Sequence, residues 1–327
     1  MTRNVCWSAM VAALMSTVVW SQSATTGAGQ GGLDKSSDLL RLLRKPTVAA
    51  GAPVMNASAA AVKSLALTHI YKFATADYPG ASTSEATCTN GSTTVGIFSY
   101  GSSSGTSSFV YKAGAYTTLT VPGSLATVAF SVNSVGQIAG YYQDNSSAIH
   151  GFVDTAGTFT NVDFPGAIET AVTDINAAGD MAGIWFDTTN NSHGFIDRGG
   201  VFTSLDFPGG TFTQAAGINA ADEVVGLFDD ATHVEHGFIF DGSTYTQLDA
   251  PLSTSTIAFG VNDARQISGS YTDASNNQHG FLYSGGIFNR VDVPGAAGTQ
   301  LTHISNKAPF AGAFTDQLNE THGLTGH

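Results

Sequence analysis

The sequence predicts an all-β fold, a six-bladed β-propeller made of four-stranded antiparallel blades. Two regularities carry this prediction. The dipeptide His-Gly recurs every 43 residues, at His150, His193, His236, His279 and His322. A proline keeps the same interval, at Pro79, Pro122, Pro165, Pro208, Pro251 and Pro294. A repeat of about 40–45 residues is typical of a propeller blade, because sheets packed around a ring cover one another's faces.

Six copies of the repeat run over 64–106, 107–149, 150–192, 193–235, 236–278 and 279–321. The third copy predicts its strands most clearly. A strand centred on Phe152 is followed by a second strand at residues 158–165. There the set Thr160, Val162 and Phe164 alternates with the set Phe159, Asn161 and Asp163, as expected of a strand. Two further strands are predicted at Thr170–Ile175 and 181–187. Four short strands joined by turns make an antiparallel meander. An open β-solenoid or a sandwich is the alternative architecture.

The phase of the repeats predicts that the chain ends share one blade. We expect two N-terminal strands from Ser64 to Pro79 to meet two C-terminal strands from Thr299 to Asp316. Once the first 24 residues are removed, Cys88 is the only cysteine. An internal disulfide is then impossible, so the closure is predicted to be non-covalent. Cys88 itself is expected to be a buried, inert thiol.

Residues 1–24 resemble a secretory signal peptide. Arg3 precedes the 16-residue apolar run from Val5 to Trp20, and small residues follow it. The alternative is a membrane anchor, but such a span needs about 20 residues. Residues 25–63 are predicted to be a flexible linker with a short helix at 36–45. We therefore expect a secreted or cell-surface protein with no transmembrane segment after cleavage.

The formal net charge of the chain is −13. Residues 64–327 carry 23 of the 25 acidic residues but only six of the twelve basic ones. Such a surface repels nucleic acids and anionic polysaccharides. Cations, neutral glycans and basic proteins are the partners that this charge allows. An acidic surface is also common in exported proteins simply because it keeps them soluble. We expect a monomer.

Other positions recur with the repeat. Aromatic residues six positions before the proline are expected to pack between neighbouring sheets. A hydroxyl five positions after the proline is expected to satisfy a backbone group where the next strand begins. Glycines in the fourth strand of each copy are expected where backbones approach closely. The hydroxyl residues are Ser84, Thr127, Thr170, Thr213, Thr256 and Thr299, and the glycines are Gly140, Gly183, Gly226, Gly269 and Gly312.

An aspartate stands six residues before each of the five histidines. The pairs are Asp144 with His150, Asp187 with His193, Asp230 with His236, Asp273 with His279, and Asp316 with His322. One interpretation is a ring of carboxylates and imidazoles that binds metal ions or performs acid–base chemistry. The other is a structural hydrogen bond across a short loop. We favour the structural pair, because a catalytic residue is needed once whereas this pair occurs five times. Ser64 and Ser107 replace the histidine in the first two copies.

One loop departs from the repeat and is the best single candidate for a ligand or metal site. Asp229, Asp230, His233, Glu235 and His236 cluster there. A polar, solvated turn is the simpler interpretation. The sequence predicts no catalytic residue and no cofactor, although these side chains are compatible with a divalent cation.

The repeated text HGF, then DFPG, then IN resembles the bacterial extracellular HAF-repeat family, over residues 64–327. The first copy lacks His-Gly, and Ile304-Ser305 replaces Ile-Asn in the last copy. The resemblance implies export and a repeat architecture. It implies no reaction and therefore no catalytic residues.

Two functional hypotheses follow. The first is a binding module for a neutral glycan or a protein, held at one face of the ring. The second is an extracellular propeller enzyme, such as a glycan hydrolase or lyase. Propeller enzymes tend to carry catalytic groups on loops that differ between blades. Here the His-Gly intervals are identical, which favours binding. A purely structural envelope protein is a third hypothesis that the sequence does not separate from the first.

Overall fold

The computed structural model describes residues 71–100, 106–307 and 309–327. These residues form 24 β-strands in antiparallel meanders. Within the described ranges there is no helix long and apolar enough to cross a membrane. The predicted signal peptide, linker and short helix lie outside the described residues.

The first strand along the chain is β1 (Phe73–Thr75), and the strands after it follow one another in groups of four until the last three. Then come β2 (Thr83–Thr89), β3 (Thr93–Ser99), β4 (Ser107–Lys112) and β5 (Ala115–Leu119). Next are β6 (Ala126–Val132), β7 (Ile138–Gln143), β8 (Ile149–Thr155) and β9 (Thr158–Val162). They are followed by β10 (Glu169–Ile175), β11 (Met181–Phe186), β12 (Ser192–Arg198) and β13 (Val201–Leu205). Then come β14 (Phe212–Ile218), β15 (Val224–Asp229), β16 (Glu235–Phe240) and β17 (Tyr245–Leu248). The last seven are β18 (Ser253–Val261), β19 (Ile267–Asp273), β20 (Gln278–Ser284), β21 (Ile287–Val291), β22 (Gly298–Ile304), β23 (Phe310–Thr315) and β24 (Thr321–Gly326).

The architecture is a β-propeller with four-stranded antiparallel blades. The groups β2–β5, β6–β9, β10–β13 and β14–β17 each form a separate sheet. The remaining eight strands form one sheet, in which β18–β21 and the set β22, β23, β24 and β1 are joined by a single parallel pair, Gln278 with Gly298. Each 43-residue copy therefore supplies the two outer strands of one sheet and the two inner strands of the next.

Burial falls from the first strand of a blade to the fourth. In β10 five of seven residues are buried, whereas in β13 only the last residue is. The hydrophobic core lies between the inner strands of neighbouring sheets, where Val172, Ile175 and Phe195 form one cluster with Ala139 of the preceding blade. The glycine prediction is confirmed in β11, because the carbonyl of Ala171 and the ring of Phe195 occupy the space that a Cβ on Gly183 would need.

The hydroxyl prediction is confirmed in all six copies. Each hydroxyl accepts a hydrogen bond of 2.9–3.0 Å from the backbone N–H six residues earlier, just before the proline. In the third copy, for example, Thr170 Oγ1 accepts from the N–H of Phe164. This bond fixes the connection from the outer strand of one blade to the inner strand of the next.

The chain ends meet, but with a different division of strands from the one expected. Three C-terminal strands, β22, β23 and β24, combine with the N-terminal β1, and Phe73 lies opposite Gly326. The tail after residue 320 is therefore a strand. It repeats the His-Gly opening of the other copies, and Leu324 is fully buried in the core. The part of the expected N-terminal strands before residue 71 lies outside the described residues.

A belt of asparagines links neighbouring blades at the turns between their first two strands. Each Nδ2 donates to the backbone carbonyl 43 residues later, over 2.8–3.3 Å. The donors are Asn90, Asn133, Asn176, Asn219 and Asn262, and the last acceptor is Ser305. The same side chain organises its own turn, since Asn176 Oδ1 accepts from the N–H groups of Ala178 and Asp180.

Candidate functional site

The histidines lie at the opposite end of the strands from the asparagine belt. In the third blade, His193 is the second residue of β12, Asp187 follows β11 and Asp206 follows β13. Because successive strands run antiparallel, the turn before β12 and the connection after β13 are on the same face of the propeller. This face therefore gathers one histidine and two aspartates from each such blade.

Each histidine contacts two carboxylates. His193 Nδ1 lies 2.6 Å from Asp206 Oδ1, whereas its Nε2 lies 3.6 Å from Asp187 Oδ2. In the other four loops the Nδ1 contact is 3.0–3.1 Å and the Nε2 contact is 3.3–3.6 Å. A separation of 3.6 Å is too long for a hydrogen bond. The stronger partner is thus the aspartate thirteen residues after the histidine, so the bond joins two loops.

Sequence reasoning missed this second aspartate. The Nδ1 partners are Asp163, Asp206, Asp249, Asp292 and, for His322, Asp77. The available signal was an aspartate two residues before the proline. In the second copy Ser107 replaces the histidine and Thr120 replaces this aspartate, whereas in the first copy Ser64 replaces the histidine but Asp77 is kept and pairs with His322. The two residues are lost together, as expected of a bonded pair.

The aspartate six residues before each histidine has a different task. Asp187 Oδ1 accepts hydrogen bonds from the N–H groups of Thr189 and Asn191 and so organises the turn. These bonds lower the pKa of Asp187, with the Asn191 N–H as the largest cause. The equivalent Asp230 accepts from Thr232 and Val234, and its pKa is lowered to about 2. These carboxylates therefore remain ionised across the physiological range.

The imidazoles also stack on aromatic side chains. The rings of His193 and Trp185 are 4.5 Å apart, and Trp185 stacks at 4.1 Å on Phe164 from the preceding blade. Similar stacks place His150 on Tyr142 and His322 on Phe314. The aspartates that contact Nδ1 are partly exposed, from 28% at Asp292, which also pairs with Arg290, to 56% at Asp206. Each loop thus presents a partly exposed carboxylate in contact with a histidine.

The surrounding carboxylates raise the pKa of two of these histidines, His236 and His322. The hydrogen bond that His236 donates to Asp249 is the main reason that the pKa of His236 is raised above its usual value. For His322, burial lowers the pKa, but Asp77 and Asp316 outweigh it and the pKa is raised. A cationic imidazole between two anionic carboxylates is therefore favoured at mildly acidic pH.

The residues of the candidate ligand loop, 229–236, do not form one cluster but have separate structural roles. Asp230 and His236 belong to the repeated set described above. Asp229 and Glu235 are cross-strand partners at the ends of β15 and β16. His233 is at the apex of the turn with a φ of 61°, where the sibling turns have asparagine or serine in the same left-handed conformation.

Burial raises the pKa of Asp229. Three ligating atoms within 4.8 Å of one another are not found in this loop. Among the described residues, they occur at Asp316, Glu320 and His322.

Cys88 is buried in the first inner strand. Its Sγ accepts a hydrogen bond from the N–H of Val132 at 3.3 Å, in the next blade. Burial, with a smaller contribution from the negative charge of Asp174, raises its pKa to about 12. A thiol with this pKa is not a nucleophile at neutral pH.

No family model matches the chain, and no curated protein matches it. Among solved structures, AofleA from Arthrobotrys oligospora is 11% identical, with 77% of this chain and 84% of that chain covered and a TM-score of 0.48. The β-propeller domain of the Trilobed protease from Pyrococcus furiosus is 7% identical, with 75% and 95% covered and a TM-score of 0.48. The fucose-specific lectin from Aleuria aurantia is 11% identical, with 75% and 95% covered and a TM-score of 0.46. At this level of similarity, the ligand of this chain has to be argued from its own residues.

Proposed function

We propose that the chain is a binding module that holds a neutral glycan at the face carrying the histidine loops. The observation that carries this proposal is the repeated, partly exposed carboxylate, bonded to a histidine and placed at regular intervals around that face. Carboxylates accept hydrogen bonds from sugar hydroxyls. Holding them in place in advance reduces the entropy lost on binding. Several equivalent sites on one face also suit a ligand with repeating units.

The acidic surface favours a neutral ligand over an anionic one. A basic protein is the alternative ligand that the same charge allows. An extracellular glycan hydrolase or lyase is the weaker alternative. The described histidine loops follow one pattern, and the only described cysteine is buried with a raised pKa. An enzyme would need a catalytic set that distinguishes one blade from the others.

The test is a glycan array probed with the purified chain and with the variant D163N/D206N/D249N/D292N. Neutral glycans should bind the natural chain and lose at least about tenfold in affinity in the variant, since several good hydrogen bonds are worth more than 1.4 kcal/mol. Asp241→Asn is the matched control, because Asp241 lies in a turn at the other end of the strands. Binding of basic proteins without binding of any neutral glycan would replace the glycan proposal with the protein alternative.

We further propose that the ring has six blades, with the eight-stranded sheet counting as two. The single bridge between its halves and the five asparagine bonds at 43-residue intervals support this count. Images of the ring along its axis would reveal the number of blades directly.

Export to the outside of the cell, membership of the HAF-repeat family and a monomeric state are proposed from the sequence. N-terminal sequencing of the mature chain from the culture medium should find a start near Thr25. A mature chain that still begins at Met1 would rule out cleavage.

A further inference from the structure

The turn between β23 and β24 has an acidic side chain at a position where its sibling turns have none. It contains the repeated pair Asp316 and His322 and, in addition, Glu320. One ligating atom from each of these three residues lies within 4.8 Å of the other two. Elsewhere in the described part of the chain, no three histidine, cysteine, aspartate or glutamate side chains converge in this way.

The sibling turns show what Glu320 replaces. The equivalent residues are Ala148, Asn191, Val234 and Asn277. In the two asparagine cases, the amide donates to the second carboxylate oxygen of the turn aspartate, at 2.9 Å from Asn191 to Asp187 and 3.0 Å from Asn277 to Asp273. A glutamate has no such hydrogen to donate. In this turn, two carboxylates therefore lie close together, where the two asparagine turns have an amide donor and a carboxylate acceptor.

The imidazole is oriented for ligation. His322 Nδ1 lies 3.1 Å from Asp77 Oδ2, and its Nε2 lies 3.6 Å from Asp316 Oδ2. When Nδ1–H donates to Asp77, the neutral ring has its lone pair on Nε2, facing the two carboxylates. A histidine that binds a metal usually has its other nitrogen bonded to a carboxylate in this manner.

Only one carboxylate oxygen of Asp316, Oδ1, holds the backbone of the turn. Its Oδ1 accepts the N–H groups of Leu318 and Glu320, at 2.8 and 2.9 Å. The turn is thus held by one carboxylate oxygen, and Oδ2 is the atom that faces His322. A cation bound there would leave the backbone of the turn unchanged.

We propose that Asp316, Glu320 and His322 bind a divalent transition-metal ion of the Zn²⁺ class. One imidazole nitrogen and two carboxylate oxygens suit zinc, which takes three protein ligands plus water in an open site. Calcium takes six to eight oxygen ligands and gains little from imidazole. This site stands independently of the proposed glycan binding.

The site lies where the two chain ends meet. Asp77 follows the N-terminal strand β1, and His322 is the second residue of the C-terminal strand β24, which pairs with β1. A bound ion would hold the turn against β24, and through His322 and Asp77 against the N-terminal segment. A ligand that binds only the folded state raises its unfolding temperature. Zinc should therefore raise the melting temperature of the whole chain.

The test uses the tag-free full chain, freed of metal with a chelator and titrated with zinc chloride by calorimetry. We expect one zinc per chain and a higher melting temperature with zinc than without it. Glu320→Asn should abolish this tight binding. It should leave the metal-free melting temperature and circular dichroism unchanged, because asparagine already occupies this position in two sibling turns.

The reciprocal variant is Asn277→Glu, which creates the same three residues with Asp273 and His279. It should raise the stoichiometry from one zinc to two. The proposal fails if the natural chain binds no zinc, if E320N binds zinc as tightly as the natural chain, or if calcium binds in its place. A failure of N277E to take up a second zinc would contradict the argument that the third carboxylate creates the site.

Discussion

At the scale of the residue, the histidine is best understood with both of its carboxylates. Asp206 anchors His193 by the shorter contact, while Asp187 mainly holds the backbone of the turn. The ion pair alone contributes little at a partly exposed position, because solvent screens it. Its value lies in joining two loops at the same face. The joint loss of histidine and aspartate at Ser107 and Thr120 is consistent with this role.

Asp249→Asn should lower the pKa of His236, since the hydrogen bond that the imidazole donates to Asp249 is the main cause of its raised value. A raised pKa in the folded state means that this stabilisation is complete below about pH 6.5 and is lost as the pH rises through the folded-state value. The Asp249 side chain is 37% exposed. We therefore expect a loss of only about 1 kcal/mol near pH 6 and less near pH 8.

The pKa can be followed by NMR, and the free energy of unfolding by urea titration at both pH values. Asp241→Asn is the control, since its turn contains no histidine and its cost should not change between about pH 6 and 8. An equal cost of D249N at both pH values would contradict the coupling to His236.

At the scale of the element, the inner strands contain a glycine where backbone and ring atoms of the neighbouring strands come close, in addition to their buried hydrophobic residues. Gly183 in β11 lets the carbonyl of Ala171 and the ring of Phe195 come together. The same arrangement recurs at Gly226 with Phe238 and at Gly269 with Phe281. The phenylalanine covers the glycine of the neighbouring strand and is itself fully buried. The glycine therefore makes room for this ring beside the carbonyl of the other neighbouring strand of the same sheet.

Gly183→Ala should destabilise the fold by about 2–4 kcal/mol, because the new Cβ would collide with backbone and ring atoms that cannot move aside. Urea unfolding measures this loss. Gly166→Ala is the control. Its φ is +85° and no atom lies within 4 Å of a Cβ there, so only about 1 kcal/mol of backbone strain is expected. Similar losses in the two variants would show that close packing in β11 is not the constraint.

At the scale of the whole molecule, the stability of the domain depends on the non-covalent seam at which the N-terminal strand β1 joins the C-terminal strands β22–β24. The strand β24 pairs with β1 on one side and β23 on the other, and Ala76 N–H donates to the Gly323 carbonyl. The last sheet reaches the first through Thr302, whose Oγ1 donates to the Ala86 carbonyl. Each blade contacts its neighbours, so the seam stabilises every blade indirectly.

Leu324→Ala should lower the melting temperature of the whole domain in a single transition. Leu324 is fully buried in the seam, and losing such a side chain costs about 2–5 kcal/mol, or about 5–15 °C for a domain of this size. Leu318→Ala, in the adjacent turn, removes a leucine that is 80% exposed and should have almost no effect. Circular dichroism and tryptophan fluorescence would follow the transition. Two separate transitions in L324A would mean that the seam unfolds on its own.

The sequence by itself determined the repeat length, the four-stranded meander, the hydroxyl bonds and the close-packed glycines. Each of these depends on neighbours along the chain or on a fixed 43-residue offset. Only the tertiary structure decided that Asp206 is the main partner of His193, that the tail forms the strand β24, and that Glu320 meets Asp316 and His322. These contacts depend on which loops share a face and which strand fills the last place in the ring. A pattern of residue types along the chain does not show by itself which loops meet.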